Sequence, residues 1–296
     1  MTRAILEVEI QVLVDDNPGN GFLVGEHGFS ALVTVNYEDS SEFKFLYDTG
    51  AGTPALDYNL KVMETDLSPI EMIVLSHGHY DHSGGLLKII EAAEKPVPVL
   101  CHPDALLHKI FTSDDGKEHE IGIHRNCDES ELAARTTIVT STEPYKVADG
   151  IMTTGVVPRT NDFEFLTGLL KRIKTIREGT ETPDMIEDDL SIIFQMKDDS
   201  VVILTGCCHS GIVNTTKHVI NLTGSPSKIG IIGGLHLYDA SDVRLEKTVE
   251  SLRKYSFTTL APCHCSGLRG RAALMHAFGE SFKDIGSGST IKFTAE

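Results

Sequence analysis

The chain has 296 residues, 41% hydrophobic and 23% charged, with six cysteines and a net charge of −17. This balance suits an ordered soluble protein with a sizeable core and excludes a disordered chain; the acidity argues against a nucleic-acid binder, which needs a basic face for phosphates. No apolar run reaches eighteen residues, and the N-terminus alternates like a strand and not like a secretory leader, so a cytoplasmic protein with no membrane partner is expected.

In chain order, strands are expected at Ile5 to Val14, Ser30 to Tyr37 and Glu42 to Asp48. A helix then begins at Pro54, with Thr53 as its cap. The apolar run Ile70 to Leu75 reads as a strand, followed by the corner His77-Gly78-His79-Tyr80-Asp81-His82, a helix to about Ala93, a strand at Val97 to Cys101 and a helix from Pro103. In the second half, short strands at Thr137 to Val139 and Ile151 to Val157 precede a hairpin, Leu190 to Lys197 with Val201 to Leu204, turning at Asp198-Asp199-Ser200. Helices and strands alternate from Gly211 to about Ala277, one helix being marked by Ser241, Glu246 and the apolar Val243, Val249 and Leu252. The tail from Phe282 to Phe293, broken at Gly286-Ser287-Gly288, reads as a closing hairpin. Residues 159–189 have the weakest pattern and read as an insertion or lid within a single domain spanning 1–296. The basic run Lys171 to Arg177 reads first as a solvated helix face and second as an attractor for anions.

Four metal-type donors within six residues at a strand end, His77, His79, Asp81 and His82, point to a transition metal. Alternate side chains of extended backbone share a side, which groups His77, His79 and Asp81; His82 joins them if the chain turns. Imidazole and carboxylate suit zinc, iron, manganese or nickel better than copper(I) or calcium. Two ions need further donors, and three later apolar runs, Val201 to Leu204, Ile229 to Ile232 and Phe257 to Leu260, are each followed by a histidine: His209, His236 and His264. Of the cysteines, Cys101 and Cys127 read as small buried hydrophobes, while Cys207, Cys208, Cys263 and Cys265 flank proposed ligands as extra donors, supporting thiols or core residues.

The His-x-His-x-Asp-His run, together with Asp48-Thr49-Gly50 after the third strand, resembles the metallo-β-lactamase superfamily. The resemblance implies an α+β fold, an αββα four-layer sandwich, holding two divalent transition metal ions, zinc foremost. His77 and His79 would bind the first ion, Asp81, His82 and His264 the second, and Asp48 would support the loop. Two departures stand out. The Gly-Asp pair whose carboxylate bridges the ions reads Gly206-Cys207 here, and no histidine motif precedes Leu190, so His209 would replace it, with Asp189 close to that place in sequence. The stretches Gly206 to Thr215, Gly233 to Leu237 and Pro262 to Gly267 are similar to the branch of 7,8-dihydropterin-6-methyl-4-(β-D-ribofuranosyl)aminobenzene-5'-phosphate synthases. This implies a methanopterin-pathway transferase acting on a phosphorylated small molecule.

In that role Asp81 binds metal and orients the nucleophile, and His236 gives a proton to the leaving group or contacts an oxyanion. Arg159 is the candidate phosphate fork. A general metallo-hydrolase of phosphomonoesters or phosphodiesters and a di-iron redox or oxygen-handling protein are the alternatives.

Overall fold

Alternation over Ile5–Val14 becomes a ten-residue strand in the computed structural model, which describes residues 3–93, 95–166 and 168–296. Met1 and Thr2 of the N-terminal run, and Thr167 of the 159–189 segment, lie outside the described residues. The strand pairs with Thr290–Thr294 on one side and Ser30–Tyr37 on the other, and Ser30–Tyr37 pairs with Glu42–Tyr47, all antiparallel. From there the sheet continues in parallel through Met72–Val74, Val99–Cys101 and Ile138–Thr140. A second sheet repeats the plan: Lys146–Ala148, Ile151–Thr153, Ser191–Gln195 and Val201–Thr205 are antiparallel, and Ile229–Gly234 and Phe257–Cys263 extend it in parallel.

Parallel neighbours need a crossover, and helices provide it. Pro54–Met63 and Leu86–Ala92 serve the first sheet, Ile212–Thr223 and Asp242–Leu252 the second. Their ends follow local chemistry: Thr53 Oγ1 accepts the Ala55 N–H and Ser241 Oγ the Arg244 N–H. Strand alternation then sorts side chains into layers. Phe45, Leu204 and Ile232 point into the core between the sheets, with Ile10, Val33 and Phe194. Their neighbours Leu46, Ile203 and Ile231 face outward, Leu46 packing with the helices over the first sheet and the others with those over the second. Each fully buried aliphatic side chain contributes about 1.5–3 kcal/mol, so two buried faces per sheet hold four layers together, the αββα sandwich.

Several expected elements differ. Pro103 opens only a 3-10 turn, Pro103–Leu106, and the chain then enters the strand Lys109–Thr112. That strand joins Glu118–Glu120, Ile173–Arg177 and Thr180–Pro183 in a third, antiparallel sheet. The basic run Lys171 to Arg177 is therefore mostly strand, not a helix face, and acidic partners neutralise it: Arg172 meets Asp114, Lys174 meets Glu181 and Arg177 meets Asp104. The tail adds one strand instead of a hairpin, because its glycine-rich bend folds onto the loop after Ile5–Val14: the Ser287 N–H bonds the Asn17 carbonyl and Ser287 Oγ accepts the Asp15 N–H. On helix Asp242–Leu252 the buried stripe runs through Leu245 and Leu252, leaving Val243 exposed. The expected strand from Ile151 stops at Thr153. Among the described residues no helix is long and apolar enough to cross a membrane.

Candidate metal centre

Both large sheets end their parallel strands at the same place, and the donors collect there. After Met72–Val74 the chain bends at Ser76 and Gly78, which brings His77 and His79 together, and it then turns into the one-turn helix Tyr80–Ser83. The turn comes at Tyr80, so Asp81 and His82 both project from the helical turn. Gly78 is required at the corner because a Cβ there would collide with the backbone of Ala105. From the second sheet come Cys207 and His209 after Val201–Thr205, His236 after Ile229–Gly234 and His264 after Phe257–Cys263. Asp48, Cys208, His236 and His264 all adopt left-handed backbone, with φ of 58°, 59°, 45° and 46°. Such strain, of order 1–3 kcal/mol per residue, is sustained where the surroundings dictate the geometry.

Among the described residues three groups of buried donors result, the donor atoms of each lying within 4.8 Å of one another: a first of His77, His79 and His209, a second of Asp81, His82, Cys207 and His264, and a third of Cys207, His209 and His236 that shares members with both. In the first, His77 Nε2 stands 2.9 Å from His79 Nδ1 and 3.3 Å from His209 Nε2. In the second, His82 Nε2 stands 3.2 Å from His264 Nε2, with Asp81 Oδ2 at 3.5 and 3.6 Å from the two. Nitrogens about 2.0–2.1 Å from a tetrahedral ion lie roughly 3.3–3.4 Å apart, so these two groups have the dimensions of a ligand shell. His236 packs on His209, ring centroids 4.4 Å apart, and both its ring nitrogens are buried without a hydrogen-bond partner.

The imidazoles of the second group are held from behind. Asp48 Oδ2 lies 2.7 Å from His82 Nδ1, while its two oxygens accept the Ser76 N–H and Oγ–H at 2.7 Å each. Asp16 Oδ1 lies 2.6 Å from His264 Nδ1, and Asp15 Oδ2 accepts the His264 N–H at 2.6 Å. A carboxylate on one ring nitrogen keeps the proton there and turns the other lone pair inward, the arrangement found behind metal-binding histidines. The first group is braced through its backbone instead. Asp188 Oδ2 accepts the Gly78 N–H at 2.8 Å and Asp189 Oδ2 the Ser210 N–H at 3.0 Å, while the fully buried Lys109 Nζ bonds Asp184 at 2.7 Å and Asp188 at 3.0 Å.

Charge follows the same division. Burial and repulsion among the rings hold His77 and His209 well below the usual imidazole range and His79, with Lys109 nearby, at about 4, so these donors keep free lone pairs at neutral pH. For His264 burial acts downward too, but Cys265, Asp16 and Asp81 outweigh it and raise the group to about 10. The second group therefore favours a positive charge, which a cation can provide in place of a proton. Burial pushes the Cys208 and Cys263 thiols up, and all six cysteines are free and buried.

A cavity of about 240 Å³ opens onto both groups, with Tyr80, Phe111, Ile121, Leu170, Ile173 and Tyr238 as its apolar wall and His236 and His27 among its polar lining. Of the residues singled out from sequence, His77, His79, Asp81, His82, His209, His236 and His264 come together here. Arg159 does not line the cavity; its Nη2 reaches the Ile186 carbonyl at 3.5 Å and its Nε is buried without a partner. His27 went unnoticed in the sequence, although it follows a glycine-rich loop at a strand end. Its Nε2 lies 3.4 Å from Asp81 Oδ2, and its hydrogen bond to Asp16 raises its pKa.

Comparison with known proteins gives the family and the fold. The model of the β-lactamase superfamily domain matches residues 44–158. The chain is 28% identical over 293 residues, 97% of each chain, to the 7,8-dihydropterin-6-methyl-4-(β-D-ribofuranosyl)-aminobenzene-5'-phosphate synthase of Methanocaldococcus jannaschii. It is 32% identical over 265 residues to an uncharacterised protein of the same organism, covering 90% of this chain and 93% of the relative. A crystal structure of a metal-dependent hydrolase of the β-lactamase superfamily superposes with a TM-score of 0.79 at 28% identity, covering 97% of this chain and 99% of the other. A diphosphatase of the PhnP family, at 13% identity and TM-score 0.53, covering 98% and 99%, shares the fold.

Proposed function

Because the chain belongs to the metallo-β-lactamase superfamily and is an enzyme of that fold, we propose that it is a metal-dependent transferase joining a pterin methyl diphosphate to a ribosylated aminobenzene phosphate. The observation that carries this reading is the cavity: an apolar, partly aromatic wall suited to flat rings faces two donor groups suited to cations. In this reading His77, His79 and His209 hold one divalent ion and Asp81, His82 and His264 the other, with zinc foremost given the imidazole-rich donors. Bound there, the ions would polarise a phosphoryl oxygen and neutralise charge on the departing diphosphate.

The chain's own side chains account for the rest. Tyr80, Phe111 and Tyr238 hold ring systems against the wall, and Leu170 and Ile173, from residues 159–189, cover them as a lid that excludes water. The arylamine nitrogen then attacks the pterin methylene; a C–N bond forms as the C–O bond to diphosphate breaks, and the proton shed by the nitrogen passes to the released diphosphate or to solvent. His236, with two unpartnered ring nitrogens, donates a hydrogen bond or proton to the leaving oxygen. His27, whose pKa is raised beside Asp16, faces the substrate phosphate at the cavity mouth. Arg159 adds positive charge from the side of His209, a weaker role than the bidentate fork expected of it.

The test incubates metal-loaded protein with a dihydropterin methyl diphosphate and the arylamine phosphate, alongside panels of phosphomonoesters and phosphodiesters. The proposal expects the coupled product with diphosphate release. Ester hydrolysis without coupling would instead establish the metallo-hydrolase alternative.

A further inference from the structure

We propose that Cys207 is itself a metal ligand, its thiolate lying between the two donor groups, and that the centre therefore selects thiophilic, borderline cations such as zinc, iron or cobalt over manganese and magnesium. The inference rests on the metal-centre reading above and adds a donor to it.

The position of the sulfur carries the argument. Cys207 follows Val201–Thr205, an interior strand of the second sheet, and enters the floor of the cavity. Gly206 brings it there: a Cβ at that residue would run into the Ser76 side chain, so the loop packs directly against the corner that carries His77. Cys207 Sγ lies 3.2 Å from His82 Nε2 and 3.3 Å from His264 Nε2. It also forms a second potential donor group with His209 and His236, so the same sulfur faces both ligand sets.

Metal–sulfur and metal–nitrogen bonds of about 2.3 and 2.05 Å at a tetrahedral angle place S and N roughly 3.5 Å apart. The observed separations are close to that edge. Asp48 and Asp16 occupy the Nδ1 atoms of His82 and His264, so both Nε2 atoms turn toward the sulfur, and the three atoms stand 3.2–3.3 Å from one another. A cation among the three atoms satisfies all. It would also hold the sulfur as thiolate, since a coordinated thiol is deprotonated.

The neighbouring thiols have further partners of their own. Cys265 Sγ accepts the His236 N–H at 3.3 Å and donates to the Cys207 carbonyl at 3.4 Å, and Cys208 Sγ meets Thr215 Oγ1 at 3.3 Å. A soft sulfur at the shared position, where a carboxylate would be a hard donor, shifts the preference of the whole centre.

The test loads metal-free protein with cobalt(II) and records its absorption, without any substrate. The wild type is expected to show an intense near-ultraviolet thiolate-to-cobalt charge-transfer band along with the weaker visible bands. Cys207→Ser should lose the charge-transfer band, and Cys265→Ser should keep it. Cys207→Asp, which restores an anionic donor, should bind two ions, lack the band, and move the zinc-to-manganese preference toward manganese by at least ~10-fold. Persistence of the band in Cys207→Ser, or cobalt bound to the wild type without it, overturns the assignment of Cys207 while leaving the metal centre intact. A wild type that takes up no cobalt overturns both.

Discussion

Behind His82 and His264 stand the carboxylates of Asp48 and Asp16, at 2.7 and 2.6 Å from the outer ring nitrogens, whereas His77 meets only the Ser76 hydroxyl at 2.9 Å and the outer nitrogens of His79 and His209 are buried without partners. The first group is positioned through its main chain, by Asp188 on Gly78 and Asp189 on Ser210, with Lys109 neutralising Asp188 from below. The same fold thus orients two sets of imidazoles by different means. One set depends on a buried ion-pair network in the fold itself; the other depends on hydrogen bonds that tune individual ligands. Damage to the first should appear as lost stability, damage to the second as lost metal affinity.

The sharpest way to break this contrast is Lys109→Met. It leaves Asp184 and Asp188 buried without their cation, a defect that costs about 3–5 kcal/mol, and denaturant unfolding of the metal-free protein should show it. A loss below 1 kcal/mol would mean that Gly78 is held by something else. Smaller in effect, Asp48→Ala and Asp16→Ala should each weaken metal binding by about 10–100-fold in competition with a chromophoric chelator. Both should leave metal-free stability closer to the parent than Lys109→Met does, and equal losses of stability in all three variants would erase the distinction.

The contrast extends to the effect of pH on the metal-free protein. His79 is held at about 4 against 6.5 for a free imidazole, and His77 and His209 lie well below that reference. Between those values the unfolded chain binds protons that the folded chain refuses, so this contribution to stability is full above about 6.5 and is lost as pH falls toward 4. His264, raised to about 10, acts in the opposite sense: its contribution is full below 6.5 and is lost as pH rises through 10. Urea midpoints measured across pH 4 to 7 should rise with pH; a flat profile would show that the first group does not sit neutral in the fold.

What the sequence made legible follows the same line. The corner His77 to His82 is contiguous, and each of His209, His236 and His264 follows an apolar run within a few residues, so local pattern sufficed to identify donors and layers. The supports are distant from what they support. Asp16 reaches His264 across 248 residues, and Lys109 reaches Asp188 across 79; no local signal separates Asp15 and Asp16 from any other acidic turn. The third sheet stayed hidden because strands such as Glu118–Glu120 are short and polar and carry no alternation, while Pro103 after a strand looked like the first turn of a helix. Cys207 stood in plain view beside His209. Its importance emerged only when Val201–Thr205 took its place inside the second sheet and set the sulfur against His82 and His264.

The proposed function depends on two cations held at the ends of the parallel strands. Elemental analysis of protein purified without added metal, repeated on a His79→Ala, Asp81→Ala double variant, tests this most directly. Close to two ions per chain in the parent, with both metal and turnover lost in the variant, is the predicted result. A parent that is metal-free and takes none up on incubation, or a double variant with the parent's metal content, would contradict it.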